Sequence, residues 1–139
     1  MKITKKFNFF SSLLLVQLIV LPSVFAFKTI EDCQSSKTTD VAFSQCLDHV
    51  KDAVDRELGT WVTNQTFILE EVKLVTGRNS ALVMFQRSQN DFITFRENNC
   101  RWQYLSISLG VEAVPAYKKC YIKTSQDRIK ELSLINNIN

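Results

Sequence analysis

Apolar residues between Phe43 and Val62 recur at steps of three and four: Phe43, Cys46, Leu47, Val50, Val54, Leu58, Trp61 and Val62. That spacing puts them on one stripe of a helix of about six turns, with Asp48, Lys51, Asp52, Asp55 and Arg56 on the other face. Thr39 or Asp40 can cap its start, and Gly59 weakens it near its end. A second apolar segment, Phe67 to Val75, stops at Thr76-Gly77. Its brevity also allows a strand, but Glu70, Glu71 and Lys73 favour helix. A third helix starts at Asn79 or Ser80, with Leu82, Phe85, Gln89, Phe92, Ile93, Arg96 and Cys100 along one side. Val83, Met84 and Phe95 widen its apolar surface, so it reads as the central helix of a bundle, buried on more than one side.

Outside these helices the pattern changes. Phe27 to Thr38 reads as an irregular, exposed lead-in. Arg101 to Lys119 begins as a helix end and, with Gly110 and Pro115, becomes a loop. From Cys120 the helical pattern returns, with Thr124 or Ser125 near its start and Tyr121, Ile122, Ile129, Leu132 and Ile135 as its stripe. The expected fold is all-α, a small antiparallel bundle of three to four helices stapled by two disulfides.

The first 26 residues do not read as part of that bundle. Lys2, Lys5 and Lys6 precede an apolar run from Ser11 to Leu21; Pro22 follows, then Val24-Phe25-Ala26. This is the layout of a secretory signal peptide cleaved after Ala26, leaving a domain over 27–139. An uncleaved anchor is the alternative, since Phe7 to Phe27 is long enough to span a bilayer. Removing the leader takes away three of the 17 basic residues and none of the 14 acidic ones, so the net charge of +3 falls to zero. The apparent basicity belongs to the leader and is no footprint for nucleic acid.

All four cysteines, Cys33, Cys46, Cys100 and Cys120, follow the leader. In an exported chain they read as two disulfides, with three pairings open. A metal site is not expected: there is no C-x-x-C, and His49 is the single histidine. No cofactor-binding motif occurs, and catalysis is not expected, since the cysteines are committed to disulfides and Glu70-Glu71 lie on a charged helix face.

Gln89, Phe92, Ile93, Phe95, Arg96, Glu97 and Cys100 form the series Q-x-x-F-I-x-F-R-E-x-x-C. It resembles the Q-x-x-W-[IL]-x-Y-R-D-x-x-C signature of the lysozyme-inhibitor LprI-like N-terminal domain family, small exported bacterial domains. Phe92, Phe95 and Glu97 stand where that signature has Trp, Tyr and Asp. Cys33 and Cys46 with Thr38-Thr39 between them are similar to the family's opening block. Asp55 and Leu58 are similar to its A-D-x-x-L-N segment, with Gly59 in place of Asn. Cys120, Ser125, Arg128, Glu131 and Leu132 resemble its closing C-x₄-[ST]-x-x-R-x-x-E-L.

The resemblance implies a small antiparallel helical domain, periplasmic or secreted, that binds lysozyme without catalysis. The alternative is an adaptor module docking on another envelope protein. The motif residues are expected to be structural: Phe92, Ile93 and Phe95 as core, Arg96 paired with Glu131 and Glu97 with Arg128. The preferred disulfides are Cys33–Cys46 and Cys100–Cys120; Cys33–Cys120 with Cys46–Cys100 is the alternative. The expected partner surface is the segment held by Cys100 and Cys120, with Arg101, Trp102, Tyr104, Tyr117, Lys118 and Lys119 as contacts.

Overall fold

The computed structural model describes residues 29–107 and 110–136, so the expected signal peptide over 1–26 lies outside the described residues. The elements are α1 (Ile30–Ser35), α2 (Asp40–Thr76), α3 (Ser80–Ser106) and α4 (Ala113–Asn136). Three helix boundaries have a clear local cause. Thr29 caps α1 in a capping box with Asp32. Thr39 caps α2 by accepting from the Ala42 N–H at 3.0 Å. At the far end Gly77 adopts φ 71° and donates its N–H to the Lys73 carbonyl at 2.8 Å. A side chain is disfavoured in that left-handed conformation, and the short turn lets α3 fold back antiparallel to α2.

The two segments expected over Phe43–Val62 and Phe67–Val75 are one helix, α2, of 37 residues and about 55 Å. Gly59 does not interrupt it. A glycine costs a helix about 1 kcal/mol relative to alanine, and the inward stripe runs on past it. That stripe continues through Trp61, Val62 and Gln65; Gln65 is buried, so a polar residue at an inward position had hidden the continuity. The lead-in also differs from expectation, because the capping box turns Ile30–Ser35 into the short helix α1.

α4 begins at Ala113, a full two turns before the expected start. Pro115 sits in its first turn, where a missing N–H leaves no helical hydrogen bond unmade. α4, not α3, is the central element: it packs extensively on both α2 and α3, while α2 and α3 touch each other little. The core is correspondingly built from Phe43, Leu47, Val50, Val54 and Leu58 of α2 against Ile122, Ile129 and Leu132 of α4.

Only a narrow face of α3 is buried, along Leu82, Gln89, Arg96 and Cys100, with Phe85 and Phe92 half-buried beside it. This corrects the expected burial of Ile93 and Phe95, which are 48% and 58% exposed. Phe95 lies about 100° around the helix from Arg96, and Ile93 sits at the opposite margin, about 40° from Gln89, so both rim the buried strip rather than fill it. The disulfides are Cys33–Cys46, tying α1 to α2, and Cys100–Cys120, tying α3 to α4. Among the described residues no helix is long and apolar enough to cross a membrane.

Candidate binding site

The motif residues meet where α2, α3 and α4 come together. Arg96 is 6% exposed. Its guanidinium lies 3.8 Å from the centre of the Tyr121 ring and 5.5 Å from that of Phe92. Its Nη1 donates to Ser125 Oγ at 2.9 Å and stands 3.7 Å from Asp55 Oδ1. Asp55 also accepts from the Tyr121 hydroxyl at 3.0 Å and from Lys51 at 2.8 Å. One carboxylate of α2 thus holds a cation from α3 and a phenol from α4. The Tyr121 hydroxyl is pushed above its ordinary pKa chiefly by burial; the nearby Arg96 opposes this and the bond to Asp55 adds to it.

The ion pairs expected within the motif do not form. Glu131 pairs with Arg128, three residues away on the same helix, at 2.7 Å rather than with Arg96. Glu97 accepts from the Tyr117 hydroxyl at 2.7 Å rather than from Arg128. Arg128 instead reaches Ser88 Oγ at 3.1 Å and lies over the Phe92 ring. With its amide oxygen turned towards that guanidinium, Gln89 accepts from Arg128 Nε at 3.1 Å. Leu132 is core, 1% exposed. The motif therefore joins helices and leaves no open chemistry at its centre.

An open cavity of about 460 Å³ lies next to the Cys100–Cys120 bridge, between the end of α3 and the start of α4. Arg101, Tyr104, Leu105, Val114 and Tyr117 line it. Arg101 makes no ion pair among the described residues. Tyr117 is fixed by its bond to Glu97, and burial followed by that bond raises its pKa.

The six residues expected to form the partner surface are divided by the structure. Arg101, Tyr104 and Tyr117 share the cavity. Trp102 lies outside it, beside Phe95, and donates its indole N–H to Asn99 Oδ1 at 3.2 Å. Lys118 turns inwards to α2, 2.7 Å from Asp48 and donating to Ser44 Oγ at 2.8 Å. Lys119 lies over the Phe43 ring, 5.2 Å from its centre. The two cavity residues missed were Leu105 and Val114. Arg101, Tyr104 and Leu105 have the i, i+3, i+4 spacing of one helix face, a signal lost once the helix was ended near Arg101.

Such a cavity suits recognition: apolar walls with one cation and two phenols can seat an apolar group beside an acidic one. Among the described residues no group of three His, Cys, Asp or Glu is placed to hold a metal. No curated protein and no solved structure matches the chain. The family model described as lysozyme inhibitor LprI matches residues 31–132, which takes in the cysteines, the motif on α3 and its partners on α2 and α4. By that match the chain belongs to the lysozyme inhibitor LprI family.

Proposed function

We propose that this chain is an exported protein that inhibits lysozyme by non-covalent binding through the cavity at the end of α3. Family membership supports the lysozyme reading. The observation that carries the choice of surface is Arg101, a guanidinium without an ion pair among the described residues, at a cavity otherwise walled by tyrosine and aliphatic side chains. Lysozyme acts through two carboxylates in a cleft, so a cation flanked by aromatic anchors is chemically matched to it. Because the Cys100–Cys120 bridge joins the two helices that wall the cavity, little order has to be gained on binding. The leader over 1–26 and the two disulfides fit a periplasmic or secreted domain. The proposed mechanism is binding alone, and the cysteines serve it as disulfides.

The test is cell-wall lysis by a chicken-type lysozyme, titrated with the oxidised protein. Saturable inhibition relieved by excess cell wall is expected. If a folded, disulfide-bonded sample leaves lysis unchanged, inhibition of that enzyme is rejected and docking on another envelope protein becomes the better account.

A further inference from the structure

A second recognition surface lies on a different face of α3. Phe95 and Trp102 are 58% and 59% exposed. They are two helical turns apart, about 10 Å along the axis, and so stand above one another on one face. Asp91, Thr94, Asn98 and Asn99 surround them in a shallow cleft of about 460 Å³. A neighbouring cleft of about 370 Å³, between α3 and α4, shares Phe95 and Asn99 and adds Thr124 and Asp127. The Trp102 indole is held by its hydrogen bond to Asn99. Asp91 and Asn98 make no side-chain hydrogen bond or ion pair among the described residues.

We propose that this strip binds a short neutral oligosaccharide of pyranose units. Each ring offers a flat apolar face for the C–H side of a sugar, while the amides of Asn98 and Asn99 between the rings, and the carboxylates of Asp91 and Asp127 beside them, take its hydroxyls. Two stacked rings about 10 Å apart along the helix suit a chain of linked sugars better than a single one. Charge decides against a polyanion: Asp91, Asp127 and Glu131 face the two clefts with Arg128 as their single cation. A dry protein interface is also disfavoured, because it would bury Asp91 and Asn98 unless partners were supplied for both. A sugar brings such partners at every hydroxyl. The strip is separate from the Arg101 cavity, so it stands or falls independently of lysozyme binding.

The experiment is isothermal titration of the oxidised protein with β-1,4-linked tetramers of glucose and of N-acetylglucosamine, with a sulfated tetramer as the anionic control. Saturable binding of at least one neutral tetramer is expected. Phe95→Ala and Trp102→Ala should each weaken it roughly tenfold, and Glu57→Ala on the outer face of α2 should not. Both rings are exposed, so the variants should keep the helical circular dichroism of the parent. The proposal is overturned if neither neutral tetramer binds, if the sulfated one binds tighter, or if the Phe95→Ala/Trp102→Ala double variant binds normally. Self-association abolished by Trp102→Ala would overturn it too, by making the strip a contact for a second copy.

Discussion

The guanidinium of Arg96 on α3 lies over the ring of Tyr121 on α4, 3.8 Å from its centre, while the hydroxyl of that tyrosine bonds to Asp55 of α2. The pair is the point where three helices are held together. Replacing Arg96 with Ala removes a buried cation–π contact and the bond to Ser125, and leaves Asp55 with one cation fewer. A loss of about 2–4 kcal/mol in urea unfolding is expected. Tyr121→Phe keeps the ring and loses the hydroxyl bond, for about 1 kcal/mol. Equal effects of the two variants would contradict this division of labour.

Lys118 makes a contrasting prediction, since the sequence put it at the partner surface and the structure puts it against Ser44 and Asp48. Lys118→Ala should lower stability by about 1 kcal/mol and leave lysozyme affinity unchanged. Loss of affinity in a variant of normal stability would return Lys118 to the binding surface.

Gln65 is buried in α2, and its Oε1 has no hydrogen-bond partner among the described residues. A carbonyl oxygen buried without a donor costs roughly 1–3 kcal/mol. Gln65→Leu keeps much of the volume and removes that cost, so thermal unfolding should move upwards. A clear downward move would mean that the amide is satisfied in solution.

Alkaline conditions should loosen the bundle. Burial, then the bond to Glu97, raises the Tyr117 pKa above its ordinary 10.0; burial also raises Tyr121, against the opposing effect of Arg96. At Lys51 burial is the largest influence and opposes the charged form, but the bond to Asp55 together with the negative charges of Asp55, Asp52 and Tyr121 outweighs it, and the pKa lies above 10.5. In each case the folded state holds its proton more tightly than the unfolded state. The stabilisation is therefore complete below the unfolded pKa and is lost as pH rises through the folded one. Unfolding temperature measured from roughly pH 9 to 12 should fall, and fall less steeply for Tyr117→Phe. An equal slope in that variant would remove Tyr117 from the account.

What the sequence disclosed depended on how local the cause was. The stripe from Phe43 to Val62, the stop at Gly77 and the all-helical class follow from spacing and backbone preference, and the structure has them. The preferred cysteine pairing is also the one present. The inward side of α3 follows from the spacing of Leu82, Gln89, Arg96 and Cys100, but not how narrow it is, because whether Ile93 and Phe95 are covered depends on where α4 lies. Pro115 reads as a loop signal by residue type but is equally at home in a first helical turn, so α4 starts two turns before its apolar stripe indicates. The cavity was half visible for the same reason: Arg101, Tyr104 and Tyr117 were picked out by residue type, while Leu105 and Val114 needed the helix ends to be known.

The most direct test of the cavity as the lysozyme-binding surface is the dissociation constant of the oxidised protein for a chicken-type lysozyme, compared with those of Arg101→Ala and Tyr104→Ala. Each substitution should weaken binding by roughly tenfold or more, as loss of a central anchor does, while Glu57→Ala leaves it unchanged. Binding that survives both substitutions at full strength would contradict the cavity as the site.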